Sequence, residues 1–556
     1  MKKCSRIAAL IVSFAMLFAL CGTTACAVSY ADVPTSAYFH DVIQKAADYN
    51  LMQGYSATRF GYYDSVTRAQ FVTILVRMFG WEQLRPETPS FTDIKPTDTY
   101  YPYLETAVCH DVIDAGGAFR RNDPITREEM CVMLVRALGY KKLAEERQSA
   151  ALPFTDVSSN KGYIAVARDV GMTNGTSATT FAPKNSATRA QAAAMLVRIY
   201  EKLYHATDWA GAFALTDASV SVPAGLDHVS LGWGKMSLDP ASGKVTLLTT
   251  TRDGNDYYIP SDYVSFVQKA ENMGCRLHLD VYMTSNVTAL LADAAYRTAA
   301  VGEIVNELTV TYNKLGRNPY SGVTVDFEGL KGNDTAANFT AFLTELDAAL
   351  APLEKALYVA VQPVLTTGAY FDGYDYRAIG EVADKVILMA YDYQASSIPA
   401  HLVGSSYHEN AALTPFSQVY DSLKAITHPV TGVSDLSKIV LGVSTASNIG
   451  YEIDSSGKLV NGTPNTRNAD ISRVYARLAA NKENIRYSDT YRNPYVTYTN
   501  EAGQRVFLWY EDSRSVADKL TLAKLFGVNA VSFWKLGSVP QYSDEGLYFD
   551  VMSVVK

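Results

Sequence analysis

The stretch Ser321-Gly-Val-Thr-Val-Asp-Phe-Glu-Gly-Leu330 holds two carboxylates, Asp326 and Glu328, two residues apart. Val323, Val325 and Phe327 alternate with Thr324, Asp326 and Glu328, the period of two with which a strand sends one set to each face. The two acids therefore share a face, roughly 6.5 Å apart along the backbone. Carboxyl groups that close perturb each other's titration, and one of them is readily held protonated. That pair is the candidate for the chemistry.

The elements that must hold this strand follow from the pattern around it. Short β-branched runs alternate with helical stretches through the C-terminal part of the chain, which predicts a parallel α/β fold. Strands are expected at Ala210 to Leu215, His228 to Trp233, Arg276 to Tyr282, Gly322 to Glu328, Leu357 to Gln362, Lys385 to Tyr391, Ile439 to Thr445 and Asn529 to Trp534. Eight such strands fit a (β/α)8 TIM barrel, where chemistry collects at the C-terminal strand ends. Glu328, Tyr391 and Trp534 fall at those ends. A long tyrosine-rich insertion is expected between strands 7 and 8, including Arg505-Val-Phe-Leu-Trp-Tyr-Glu-Asp512. Glu511 and Asp512 are expected to open the helix running on from Ser513, where acids suit the dipole. The alternative is that they line a subsite with Trp509.

The N-terminal part is an all-α triplicate of helix-loop-helix repeats. Val66-Thr-Arg-Ala-Gln-Phe71, Ile125-Thr-Arg-Glu-Glu-Met130 and Ala187-Thr-Arg-Ala-Gln-Ala192 each precede Leu-Val-Arg at the same distance. Thr67 with Gln70, Thr126 with Glu129 and Thr188 with Gln191 read as capping boxes, followed by apolar residues at helical spacing. Upstream lie His40-Asp41-Val42, Phe91-Thr-Asp93-Ile94 and Phe154-Thr-Asp156-Val157. One such repeat is too small to bury its own apolar face, so three are expected to pack together. Arg68, Arg127 and Arg189 stand at the first helical position, where a helix terminus plus a guanidinium suits an anion; a solvated arginine paired to a nearby acid is the bland alternative.

These openings and caps resemble three S-layer homology modules. The resemblance implies noncovalent anchoring to an anionic secondary cell-wall polysaccharide, with Asp41, Asp93, Asp156, Arg68, Arg127 and Arg189 as binding residues by position. Gln70 and Gln191 stand where that family usually has glutamate, and Tyr38-Phe-His-Asp41 departs from the Phe-x-Asp opening, so the three sites are not expected to be equal.

The chain has 556 residues, more than one core usually organises. Its net charge is −8, which with no basic footprint excludes a nucleic-acid partner. Lys2, Lys3 and Arg6 precede an apolar run from Ile7 to Leu20, and Ala25-Cys-Ala27 offers small residues for cleavage, as in an export signal. The mature chain is expected to start near Val28, or near Asp32 if Ser29-Tyr-Ala31 is used; lipoprotein processing at Cys26 is the alternative. No second apolar run reaches the roughly 18 residues of a membrane span, so an extracellular, wall-associated protein is expected. Removing the signal leaves Cys109, Cys131 and Cys275, read as buried thiols, with a Cys109 to Cys131 bridge as the alternative. Scattered histidines without metal-binding spacing give no metal site, and no cofactor is expected. The domains are then a signal peptide at 1–27, modules at 33–86, 87–148 and 149–203, a transition at 204–226, and a barrel at 227–556 whose first strand starts near 210 if the transition supplies it.

Asp326-Phe-Glu328, Leu388-Met-Ala-Tyr-Asp392 and Val531-Ser-Phe-Trp534 together resemble glycoside hydrolase family 18, over the whole C-terminal domain. That resemblance implies a retaining, substrate-assisted hydrolase in which the sugar's own acetamido oxygen replaces the second protein carboxylate. By position, Glu328 is the general acid, Asp326 orients the acetamido group and Tyr391 hydrogen-bonds it. Asp392, Trp534, Met389 and Thr324 are the implied substrate-binding residues, with Trp534 under the sugar ring. The implied substrate is a polysaccharide containing N-acetylglucosamine, peptidoglycan or chitin-like. Ser321 and Thr324 stand where the family usually has two further aspartates, and Phe327 where chitinases usually have Trp; this looks more like the spore and cell-wall branch. A wall-anchored glycosidase is the favoured reading. The alternative is a catalytically weak or inactive wall-anchored glycan-binding or S-layer-associated protein.

Overall fold

The computed structural model describes residues 30–251, 254–365, 371–393 and 397–555. The expected signal peptide at 1–27 lies outside them. The chain divides between His205 and Ala206 into two units.

In the first unit the helices are α1 (His40–Asp48), α2 (Arg68–Met78), α3 (Tyr101–Cys109), α4 (Arg127–Ala137), α5 (Lys141–Glu146), α6 (Lys161–Asp169) and α7 (Arg189–Leu203). All three expected capping boxes form, at Thr67, Thr126 and Thr188. At the first, Gln70 N–H donates to Thr67 Oγ1 at 3.2 Å and Thr67 N–H donates to Gln70 Oε1 at 3.0 Å. Two amides that a helix start leaves without partners are thereby satisfied. Behind the caps, Phe71, Leu75, Met130, Leu134, Ala192 and Leu196 are buried.

The three repeats close into a ring. Just before the caps, Val66 N–H donates to Ala187 O (3.1 Å), Ala187 N–H to Ile125 O (2.9 Å) and Ile125 N–H to Val66 O (2.8 Å). The arginines run round the same ring in the opposite sense. Arg68 Nε donates to Phe119 O at 3.0 Å, Arg127 Nε to Phe181 O at 2.9 Å, and Arg189 Nε to Phe60 O at 2.8 Å. Each guanidinium also lies 4.8 Å from the centroid of that same phenylalanine ring, a cation–π contact that strengthens when desolvated.

In the second unit eight parallel strands form the closed barrel: β1 (Trp209–Ala214), β2 (His228–Asp239), β3 (Arg276–Met283), β4 (Gly322–Phe327), β5 (Ala356–Val361), β6 (Lys385–Met389), β7 (Ile439–Ser444) and β8 (Ala530–Trp534). Neighbours in sequence pair throughout, and β8 and β2 both pair with β1. Every expected strand is present, the first of them inside the segment expected as a transition. Val323, Val325 and Phe327 face outward yet are fully buried, because helices cover the barrel. Phe327 stacks on Phe342 of the helix Asn333–Leu350, with centroids 5.2 Å apart; burying such a ring contributes about 1.5–3 kcal/mol.

The insertion between β7 and β8 contains a five-stranded antiparallel sheet, ordered Thr466–Arg467, Ile449–Glu452, Arg505–Trp509, Asn493–Thr499, Ile485–Ser488. Its central strand is buried on both faces. Val506 and Leu508 enter one apolar cluster, Phe507 and Trp509 another. Asp512 caps the helix Ser513–Leu525, accepting from Arg514 N at 2.9 Å and Ser515 N at 3.1 Å. Glu511 is buried against Lys519 Nζ at 2.8 Å, and Trp509 donates Nε1–H to His408 O at 2.8 Å. With all three side chains enclosed, the helix-start reading holds and they do not line a subsite. Cys131 and Cys275 are buried free thiols, so Cys131 forms no bridge to Cys109. No helix among the described residues is long and apolar enough to cross a membrane.

Candidate functional site

β4 brings its polar face into the barrel, as the period of two requires. Thr324 and Asp326 are 0% and 2% exposed, and Glu328, one step past the strand end, is half-buried at the mouth. Glu328 N–H donates to Met283 O at 2.9 Å, which fixes the acid against the end of β3. Gly329 N–H donates to Gln362 Oε1 at 2.6 Å, and the Tyr374 hydroxyl donates to Phe327 O at 2.7 Å. The turn that presents Glu328 is therefore tied on three sides.

Below the acids, polar groups continue into the interior. Thr324 Oγ1 lies 2.7 Å from Ser230 Oγ, which lies 2.9 Å from His228 Nε2. Asp280 of β3 stands directly beside Thr324 in the parallel register, and Tyr282 beside Asp326. Asp280 is 0% exposed, and among the described residues neither of its carboxyl oxygens meets a hydrogen-bond partner; Asp326 Oδ1 is in the same position.

Beyond β6 the chain turns outward at Asp392, whose φ is 55°. Asp392 is exposed and accepts from the Ser447 hydroxyl at 2.6 Å. Tyr391 is half-buried. Trp534 ends β8, with its ring 5.5 Å from Phe213, and packs with Met389 and Tyr391 around one apolar cluster. Tyr257 stacks on Tyr282 at 4.3 Å on the opposite wall.

The electrostatics follow from burial. Enclosure pushes the Asp326 carboxyl well above the ordinary aspartate range, with Asp280 and Glu328 adding to it. Burial and the Glu328 charge do the same to Asp280. Glu328 is raised by burial first and by Asp392 second. Three acids in one low-dielectric pocket do not all ionise near neutral pH, and the one nearest the mouth, Glu328, is the one placed to hand a proton to a ligand. Burial, reinforced by Asp326 and Glu328, keeps the Tyr391 phenol protonated as a donor.

In the first unit Asp93 accepts from Phe119 N (2.7 Å) and Arg120 N (2.8 Å), and Asp156 from Phe181 N (2.9 Å) and Ala182 N (2.7 Å). The residue in that position of the first repeat is Asp32, which accepts from Phe60 N at 2.7 Å and Gly61 N at 2.6 Å. Asp41 instead sits in the first turn of α1, beside His40, so the equivalence expected for Asp41 is corrected. The matching motif is Tyr30-Ala-Asp32-Val33, whose Tyr30 ring meets Phe60 as Phe91 meets Phe119 and Phe154 meets Phe181. The arginines are not solvated but inserted into the next repeat. Arg68 also ion-pairs with Glu129. Arg127 and Arg189 have no carboxylate at ion-pair distance among the described residues; their Nη2 atoms donate to Asn174 O at 2.8 Å and Gln53 O at 2.6 Å.

The structure thus gathers Asp326, Glu328, Tyr391, Asp392, Met389 and Trp534 at one barrel mouth. Thr324 is a correction: fully buried and bonded to Ser230, it has no access to a polymer. Asp280, Tyr282, Gln362 and Tyr374 were missed. The alternation His278, Asp280, Tyr282 was the signal for the first two.

Residues 281–538 match the family model for glycosyl hydrolases family 18, and residues 29–72, 90–131 and 153–193 match the S-layer homology domain. The chain carries three S-layer homology modules followed by a glycosyl hydrolase family 18 domain. It is 28% identical over 258 residues to the cortical fragment-lytic enzyme of Bacillus anthracis, covering 45% of this chain and 54% of that protein. It is 34% identical over 169 residues to the amylopullulanase of Thermoanaerobacterium thermosulfurigenes, covering 29% of this chain and only 9% of that one. The Bacillus cereus spore cortex-lytic enzyme SleL, a solved structure, is 20% identical, covers 63% of this chain and 74% of its own, and has a TM-score of 0.47.

Proposed function

We propose that this protein is a wall-anchored glycoside hydrolase that cleaves β-linked N-acetylglucosamine polymers with retention of configuration. The observation that carries the reading is Glu328: a half-buried acid at a strand end, raised by its surroundings, directly above buried Asp326 and across the mouth from Tyr391, Asp392 and Trp534. Glu328 donates its proton to the glycosidic oxygen as that bond to the anomeric carbon breaks. The substrate's acetamido oxygen forms the new bond to the anomeric carbon, with Asp326 accepting the amide N–H and Tyr391 donating to the oxygen. Water then opens the ring so formed, giving its proton back to Glu328 and leaving a reducing end in the original configuration. Trp534 offers an apolar face to the sugar and Asp392 a hydrogen-bond acceptor at the rim.

The modules supply localisation in this reading: they hold the protein to an anionic wall polysaccharide, outside the cell, where peptidoglycan is the nearest polymer of the required chemistry. The resemblance to cortical fragment-lytic enzymes supports peptidoglycan over chitin. Mass spectrometry of products from peptidoglycan and, separately, chitin oligosaccharides tests this. Fragments with reducing N-acetylglucosamine from peptidoglycan are expected. Products from chitin alone would move the substrate, and no product from either, beside measurable glycan binding, would replace the hydrolase with a binding protein.

A further inference from the structure

The barrel interior holds an acid that the reaction above does not use. Asp280 lies on β3, fully buried, in register with Thr324 on β4. Parallel neighbours are about 4.8 Å apart and a residue two further along a strand is about 6.6 Å away. Asp280 and Asp326 are thus diagonal neighbours on the inward face, their Cα atoms about 8 Å apart, a gap two aspartate side chains can bridge. Both have buried oxygens that meet no partner among the described residues. A buried carboxylate left without a hydrogen bond is costly, and two such groups side by side resolve the cost by sharing one proton.

The bonds already made around them decide where that proton sits. The hydroxyl of Thr324, the register partner of Asp280, is engaged with Ser230. The titratable groups acting on this pair or feeling it are Glu328, Tyr257, Tyr282, Tyr374 and Tyr391. None is a cation. His278, one inward step below Asp280, is buried and held neutral, by burial first and by His228 second. Arg276 and Lys355 lie deeper still and act on His278, but neither acts on Asp280, so the neutral acid belongs at Asp280 and the charge on Asp326, nearer the mouth.

We propose that Asp280 is a positioning residue for hydrolysis: as a neutral carboxylic acid it donates its O–H to Asp326 Oδ1, holding that carboxylate ionised and turned so that its other oxygen meets the substrate amide. The pair carries one proton throughout, and no proton leaves it. Thr324 beside it is uncharged, so the strand bearing the catalytic acids lacks an inner acid of its own, and the neighbouring strand supplies it. This rests on the functional reading of Asp326 given above.

The test has two independent arms. Infrared difference spectroscopy of the full chain at pH 7, parent against Asp280→Asn, should show the carbonyl band of a protonated carboxyl in the parent and its loss in the variant. A parent with no such band overturns the proposal whether or not the protein turns over. In kinetics on the polymer the parent cleaves, Asp280→Ser should lower kcat about 10- to 100-fold with KM within threefold and displace the pH profile. Adding Thr324→Asp, which returns an acid to the same layer from the other strand, should recover at least tenfold. A folded Asp280→Ser variant with unchanged kcat and pH profile, or a loss that Thr324→Asp does not relieve, overturns it. Should Asp280→Ser not fold, the same comparison is made with Asp280→Ala, which also removes the donor; Asp280→Asn keeps an N–H donor toward Asp326 and serves the infrared arm alone. A parent that cleaves nothing defeats the functional reading instead, and the infrared arm still decides Asp280.

Discussion

Gly442 on β7 leaves open the space into which the ring of Tyr391 turns. A Cβ at that position would lie 3.2 Å from Tyr391 Cε1 and 2.6 Å from the backbone oxygen of Leu388. The second contact is against backbone and cannot be relieved by a rotamer change. Gly442→Ala is therefore expected to destabilise the barrel by about 1–3 kcal/mol and to displace Tyr391 from the mouth. A misplacement of about 1 Å lowers turnover by up to roughly 100-fold. Steady-state kinetics beside a thermal melt measures both; a variant with parental kcat would remove Tyr391 from the reaction as drawn.

Glu328→Gln keeps the shape of the acid and removes its proton. Turnover should fall by at least the hundredfold typical of losing a general acid, while binding of glycan fragments persists in a calorimetric titration. Full activity would mean that another group is the acid.

The pH profile carries a sign. Glu328 is raised by burial first and by the charge of Asp392 second, so its proton is retained above the ordinary glutamate range and activity is lost as pH rises through the raised value. Asp392→Asn removes the second influence. The alkaline limb of kcat/KM should move to lower pH in that variant; a limb that stays put would show that Asp392 does not act on Glu328.

The three arginines are expected to contribute unequally to wall retention. Glu129 already neutralises Arg68, where the corresponding residues of the other repeats are Gln70 and Gln191. Arg127→Ala or Arg189→Ala should release more protein from isolated walls than Arg68→Ala, and Glu129→Gln should strengthen retention. Sedimentation with walls at rising salt reads this, and equal behaviour of all three would discard an anion-binding role that depends on free guanidinium charge.

Acid should loosen the first unit at its loops. Burial alone would raise the Asp93 carboxyl, but the amides of Phe119 and Arg120 outweigh it. The amide of Phe181, with Ala182, holds Asp156 low despite slight burial. Folded values below the unfolded one, about 3.9, mean that the stabilisation is present above that pH and disappears as pH falls through the folded values. Pepsin digestion should accordingly open the chain near residues 119 and 181 increasingly as pH is lowered below about 3.9, scored at each pH against an unfolded control substrate. Cleavage elsewhere first would contradict this.

What was legible in the sequence follows from periodicity. A period of two with β-branched residues located all eight barrel strands, and Thr-x-x-Gln or Thr-x-x-Glu before an apolar run located three helix starts, because both signals are local. Asp280 escaped because Leu277, Leu279 and Val281 around it read simply as core, and its importance comes from a strand some 44 residues later, as the pairing of Asp280 with Thr324 shows. Asp32 is not legible in this way because Ser29-Tyr-Ala31 before it has the pattern of a cleavage site, whereas its meaning depends on the amides of Phe60 and Gly61. The burial of the arginines is likewise a property of a neighbouring repeat, which repetition in one chain does not specify.

The arginine-to-loop contact between repeats is head-to-tail: each repeat offers a guanidinium on one side and a phenylalanine loop on the other. Contacts of this kind run on into filaments unless the rotation closes. Here Arg189 of the last repeat reaches Phe60 of the first, so every donor half and every acceptor half is matched within one chain. A fourth repeat, or a second chain, would have to break a finished contact to join. The count of three is therefore self-limiting, and the triplicate is a single-chain device that does not propagate into a lattice by this interface.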